Sequence, residues 1–142
     1  MTPSQKLIDF IMRSEGLKLK PYMDSGSLAI GYGHHGPEVH AGLVWTTLDA
    51  QTALESDLES FGRQIESLVK VPLTQGQFDA LVDFVYNIGY SGLKKSTLLK
   101  LLNQKAYVGA GQQLLRWDQD EGVPNANLLA RRKQELQLFW NV

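Results

Sequence analysis

Glu15 and Asp24 stand nine residues apart in the stretch SEGLKLKPYMDSGSLAIGYGHH. Glu15 closes an amphipathic run halted by Gly16, and Asp24 opens the turn-forming pair Ser25-Gly26. A carboxylate at a helix end and another at a turn can face each other across a gap. Such a pair suits glycosidic bond cleavage. One neutral acid protonates the leaving oxygen, and a second group manages the oxocarbenium-like centre or its water. The C-terminal end of a helix disfavours negative charge, an arrangement that suits a proton donor. Asp24 has a simpler reading as an Asx-type turn residue. Spacing alone is a weak signal, because a Glu and an Asp nine apart are usually solvated surface charges.

The elements that must hold these groups can be read along the chain. Pro3 suits a first helical turn, and Leu7, Ile8, Phe10 and Ile11 form a helical stripe through about Arg13. From Leu17 to about Leu43, alternation in LKLKPY and repeated glycines predict short antiparallel strands. Thr46-Thr47-Leu48-Asp49 resembles a helix start, and Leu48, Leu54, Leu58, Phe61, Ile65, Leu68 and Val69 continue at helical spacing up to Pro72. Thr74-Gln75-Gly76-Gln77 is a capping box, with Phe78, Leu81, Val82, Val85 and Ile88 as the buried stripe behind it and Gly89 as the stop. LKKSTLLKLLNQK predicts a further helix with Ser96 or an earlier residue as cap, DQDEGVPNAN a turn-rich link, and LLARRKQELQLFW a closing helix. Pro21, Pro37, Pro72 and Pro124 are expected at turns.

The fold class is therefore α+β, mainly α, with a small antiparallel sheet lobe. One domain, residues 1–142, is expected: a sheet lobe at about 14–46, a connecting helix at about 47–70, and a helical lobe from 1–13 and 71–142. At 142 residues the chain can bury a real core. Without cysteine it has no disulfides and no thiolate chemistry, and a net charge of −1 offers no bulk attraction to nucleic acid or anionic lipid. No run is long enough to insert in a membrane and no secretory signal is visible, so a cytoplasmic start is expected.

Glu15-Gly16, Leu19, Tyr22, Asp24 and Ile30-Gly31-Tyr32-Gly33-His34 follow in order the signature of the phage-type (T4-like) lysozymes, the muramidase or endolysin family, which the chain resembles. Further blocks extend the resemblance to nearly the whole chain: GHHGPEVHAGLVWT, LTQGQFDALVDFVYNIG, STLLKLLN, and RW with NLLARRKQEL. The resemblance implies a two-lobed lysozyme fold and hydrolysis of the β-1,4 bond between N-acetylmuramic acid and N-acetylglucosamine in bacterial peptidoglycan, with no cofactor. It assigns Glu15 as general acid, Asp24 as the group that places water, and Arg131 as the partner of Glu15, with Arg132 one register away. Tyr32, His35, Tyr86, Asn87 and Thr97 fall at substrate-binding positions. It also implies a monomeric endolysin that waits in the host cytoplasm and reaches the periplasm and wall through a holin, without a nucleic-acid partner.

One position departs from the family. Its water-holding threonine, six residues after the Asp, is replaced by Ala29 when the Ile-Gly-Tyr-Gly-His runs are aligned, and by Ile30 on a plain count. The hydroxyl is absent either way, with Ser25 and Ser27 nearby. Beside hydrolysis, two readings follow: a lytic transglycosylase with Glu15 as sole acid/base, or a catalytically weak peptidoglycan-binding protein. His34, His35 and His40 raise the thought of a zinc amidase, but there is no HExxH motif and no cysteine ligand; no metal is expected. The resemblance makes His34 structural, tied to a carboxylate. Phe84, Trp117 and Trp140 are expected in the core.

Overall fold

The computed structural model describes residues 1–141. Its helices are α1 (Gln5–Glu15), α2 (Thr47–Leu68), α3 (Gln75–Ile88), α4 (Tyr90–Lys94), α5 (Thr97–Asn103), α6 (Tyr107–Gln113) and α7 (Ala126–Phe139), with a 3-10 turn at Leu114–Arg116. Strands β1 (Lys18–Asp24), β2 (Ser27–Gly31) and β3 (His34–His35) form an antiparallel sheet in the order β1-β2-β3, and β4 (Gln119–Asp120) pairs with β5 (Val123–Pro124). The mainly helical α+β class read from the sequence is the class observed. Two compact units result, one of residues 4–60 and one of residues 1–3 with residues 61 onward, so the division falls inside α2. Where the sequence reading groups residues 1–13 with the helical lobe, α1 belongs to the same unit as the sheet.

In the unit of residues 4–60, the Ser4 hydroxyl caps α1 by accepting from the Leu7 N–H at 3.2 Å. Leu7, Ile8 and Ile11 are buried, and Gly16 (φ +71°) ends the helix just after Glu15. Ser25 (φ +52°) and Gly26 (φ +87°) both take left-handed backbone, the signature of a two-residue type I′ hairpin turn. That turn sets Asp24 opposite Ser27. Pro21 lies within β1 and not at a turn. The strand is an edge with a register irregularity between Lys18 and Tyr22, where a missing N–H is tolerated. In α2, Leu54 and Leu58 are buried as the stripe predicts, but Leu48 is 71% exposed: it lies in the first turn and faces solvent.

In the other unit, the Thr74–Gln77 capping box is formed at both ends, and every residue from Gly76 to Val85 of α3 is buried. This helix packs against α7. The approach depends on Gly76: a β-carbon there would stand 2.1 Å from the Leu138 carbonyl oxygen and 2.3 Å from that of Asn141. The LKKSTLLKLLNQK run is two helices because Ser96 interrupts it, donating to the Leu93 carbonyl at 2.7 Å while accepting from the Leu99 N–H at 3.0 Å. Asn125 caps α7 by accepting from the Leu128 N–H at 3.0 Å, so the helix starts before the predicted LLARR segment. Arg131 and Arg132 consequently lie in its second turn and not at its beginning. Phe84 is fully buried and meets the half-buried Trp117 edge-on at 5.3 Å. Trp140, expected in the core, is 47% exposed, because α7 ends at Phe139 and the next residue turns outward with only its edge against that ring.

Candidate active site

Glu15 is the exposed last residue of α1, and Asp24 the exposed last residue of β1. Tyr22 lies two places before Asp24 on the same strand. Its phenol is pushed up from the ordinary tyrosine range by burial first, then by the negative charges of Asp24 and Glu15. Both carboxylates therefore lie within electrostatic reach of one hydroxyl. Helix termination at Gly16 and the type I′ turn at Ser25-Gly26 are the local devices that put them at their element ends.

Asp24 is bound by groups that the sequence reading did not connect to it. Its Oδ2 lies 3.0 Å from His35 Nε2, and His35 Nδ1 lies 2.9 Å from Ser27 Oγ. An ionised carboxylate only accepts, so Nε2 carries a proton; in the neutral ring Nδ1 then accepts from the Ser27 hydroxyl. Ser25 Oγ–H reaches Asp24 Oδ1 only at 3.5 Å. Ala29, at the place of the family threonine, is fully buried, and so is Ile30. Tyr32 is 7% exposed and therefore presents little surface, whereas His35 is exposed.

The adjacent His34 does a different job. Its Nδ1 lies 2.7 Å from Asp57 Oδ2 in α2, its Nε2 binds Glu38, and its ring tilts against Trp45 with centroids 5.5 Å apart. Burial alone would lower its pKa, but the hydrogen bonds to Asp57 and Glu38 outweigh burial and raise it. Glu38 is held below the usual carboxylate range by its bond to His34, while Asp57 is pushed up, chiefly by burial. Successive residues of a strand point to opposite faces. The clamp on His34 thus fixes the short β3 and with it the direction of His35. His40, the third histidine, donates from Nδ1 to the Ala41 carbonyl at 2.9 Å.

In the helical unit, Arg131 makes a two-pronged contact with Asp83, Nε to Oδ2 at 3.0 Å and Nη2 to Oδ1 at 2.7 Å, and lies 5.7 Å from the centre of the Tyr86 ring. Arg132 is fully buried; its Nη2 donates to Asn87 Oδ1 at 2.7 Å and to Glu135 Oε2 at 2.8 Å. Glu135 is raised well above the ordinary carboxyl range by burial and by its neighbour Asp83. Asp83 is lowered: burial would raise it, but hydrogen bonds from Glu135 and Arg131 prevail. Glu135 also pairs with Arg132 through Oε1, 2.8 Å from Nε. Four of the positions singled out from sequence, Tyr86, Asn87, Arg131 and Arg132, are thus joined through Asp83 and Glu135. The exposed Thr97 opens α5 next to the Ser96 cap. Asp57, Asp83 and Glu135 were missed, because in sequence each reads as an ordinary polar position of a helix; Ser27 was noted near the site but not joined to His35.

Residues 12–135 match the family model described as phage lysozyme. The chain is 40% identical over 142 residues to the endolysin of Bacillus phage B103, covering 98% of this chain and 54% of that protein. Against the endolysin of Salmonella phage P22, identity is 40% over 144 residues, with 98% of each covered. A SAR-endolysin of Escherichia phage Mu is 36% identical over 133 residues, covering 93% of this chain and 77% of that one. The crystal structure of a P22 lysozyme mutant has a TM-score of 0.87 to this fold, at 38% identity and 99% coverage of both chains. The chain spans about half the length of the Bacillus phage endolysins it matches.

Proposed function

The chain belongs to the phage lysozyme family, and from that membership we propose that it cleaves bacterial peptidoglycan as an endolysin, hydrolysing the β-1,4 bond between N-acetylmuramic acid and N-acetylglucosamine. Glu15 is the general acid and Asp24 the carboxylate that places the attacking water. The observation that carries this reading is the placement of Glu15 at the exposed end of α1 and of Asp24 at the exposed end of β1 within one compact unit, with the negative charge of both felt by the Tyr22 phenol. Chemistry of this class needs an acid and a second carboxylate close enough to serve one sugar. Arg131 keeps the supporting role toward Glu15 in this proposal, with Asp83 orienting its guanidinium. Tyr86, Asn87, His35, Tyr32 and Thr97 remain the proposed glycan contacts, Tyr32 through its small exposed edge. No metal or organic cofactor takes part in the proposal.

The protein acts in this reading as a monomer that gathers in the host cytoplasm and meets the wall once a holin opens the membrane. Among the described residues no helix is long and apolar enough to cross a membrane. Expression in a bacterial cytoplasm with and without a holin tests the route; lysis without one would replace it by a holin-independent path.

A second reading draws on the fully buried, hydroxyl-free Ala29. A lytic transglycosylase uses the sugar's own hydroxyl in place of water and needs only the acid. Mass spectrometry of fragments released from purified peptidoglycan separates the two. Reducing N-acetylmuramic acid ends, absent with Glu15→Gln, are expected; anhydro ends would establish transglycosylation. No fragments from the folded parent would leave a glycan-binding protein.

A further inference from the structure

The register of the small sheet places more than the two carboxylates together. Tyr22 opposes Ala29, Ala29 opposes His35, and Asp24 opposes Ser27. Directly opposed residues of antiparallel strands share a face, and so do residues two apart on one strand. Tyr22, Asp24, Ser27, Ala29 and His35 therefore occupy one face, with Ala29 in the middle of it between Tyr22 and His35. From its place opposite Ala29 the imidazole leans two positions along the sheet, to Ser27 at 2.9 Å and Asp24 at 3.0 Å. Ala29 is fully buried within this group. A threonine in its place would add a hydroxyl and a methyl between the flanking rings, where the imidazole has to cross.

We propose that His35, held between Asp24 and Ser27 across the small Ala29, is a positioning residue that takes over the role of the absent threonine hydroxyl: it orients Asp24 for the water that attacks the glycan. This rests on the reading of Glu15 as acid and Asp24 as water-placing carboxylate. His35 Nε2–H occupies one oxygen of Asp24, Oδ2, and so fixes the plane of the carboxylate. Oδ1, which among the described residues meets only the long contact from Ser25, keeps its lone pairs for water. Ser27 acts on Asp24 only through the ring, by setting its tilt. The alanine at 29 and the histidine at 35 are then one arrangement, in which a small residue makes room for a larger one to reach the same carboxylate from the neighbouring strand.

The test is steady-state kinetics on soluble peptidoglycan fragments with His35→Ala, His35→Gln, Ser27→Ala and the His35→Ala/Ser27→Ala pair, beside Glu15→Gln. The side chain of His35 is 41% exposed, so folding is expected to survive, and melting curves check it. His35→Ala should lower kcat by roughly tenfold to a hundredfold, the scale of losing a well-placed orienting contact, over and above any rise in KM from the glycan contact proposed for the same ring. His35→Gln, whose amide supplies one donor and one acceptor, should regain part of that loss. The double variant should be no slower than His35→Ala alone, since the serine has nothing left to orient. Unchanged kcat in His35→Ala, a loss confined to KM, or additive losses in the pair would each overturn the positioning role, while inactive Glu15→Gln would leave the acid assignment standing. Full activity of Glu15→Gln would overturn the underlying mechanism instead.

Discussion

Replacing Asp57 by Asn removes the charge on the buried side of the clamp on His34 without changing side-chain size. The bond it weakens, by exchanging a charged acceptor for a neutral amide, is 2.7 Å long, between side chains 15% and 26% exposed. A hydrogen bond to a charged group at such a site contributes about 2 kcal/mol. The second arm, to Glu38, is 54% exposed on the carboxylate side and remains in the variant; an exposed pair of this kind adds little. For a chain of this size 2 kcal/mol lowers the melting temperature by roughly 4–8 °C. The sign of its pH dependence follows from the direction of the shift. His34 is raised in the folded state from the ordinary 6.5, so its contribution is fully present below 6.5 and is lost as pH rises through the higher folded value. At the acid end Asp57, itself raised by burial, takes up a proton and weakens the bond. The deficit of Asp57→Asn should therefore be greatest just below pH 6.5, and shrink as pH rises through the higher folded value of His34 and again as acid protonates Asp57. Calorimetric melts of both proteins across that range measure it. A deficit that stays constant with pH would refute the charged-histidine account. Because His34 holds β3, the same variant should also lose part of the His35 contribution to kcat.

Other substitutions probe the helical unit. Gly76→Ala should prevent stable folding or cost several kcal/mol, because the new methyl would overlap two carbonyl oxygens at the end of α7; a melting temperature within about 2 °C of the parent would show that the α7 end can move aside. Glu135→Leu should cost about 3–5 kcal/mol by leaving the fully buried Arg132 without its acidic partner, and Arg132→Met a similar amount. The double variant should be more stable than the sum of the two losses predicts, and strict additivity by denaturant titration would argue against a coupled pair.

Much of the site could be read directly because its placement is local. A helix that stops at Gly16 presents Glu15 at its end, and a Ser-Gly turn presents Asp24 opposite the residue three places on; both depend on a few adjacent dihedral angles. The capping box at Thr74 and the cap at Ser96 are legible for the same reason. The two errors of burial, Leu48 and Trp140, fall at helix ends, where periodicity no longer indicates which side faces the core. The cap at Asn125 starts α7 at Ala126, ahead of the LLARR segment, and so shifts every position of the helix relative to its first turn.

Other features exist only after the chain has folded. His35 in sequence is the second of two adjacent histidines; it becomes the holder of Asp24 because pairing of three strands sets it across Ala29 and because alternation along β3 turns its neighbour toward Asp57. Asp83 and Glu135 lie 52 residues apart and are unremarkable in their own helices. Packing of α3 against α7 removes both from water; burial there raises Glu135, while hydrogen bonds from Glu135 and Arg131 hold Asp83 down. The missing threonine likewise changes meaning: as sequence it is the loss of a hydroxyl, and in the sheet it is the space an imidazole crosses. Sequence alone determined the two carboxylates, the elements that present them and the family to which their pattern belongs. Tertiary structure decided which side chains hold those groups, since hydrogen bonds between distant residues and carboxyl shifts under burial depend on proximity and desolvation that no local pattern encodes.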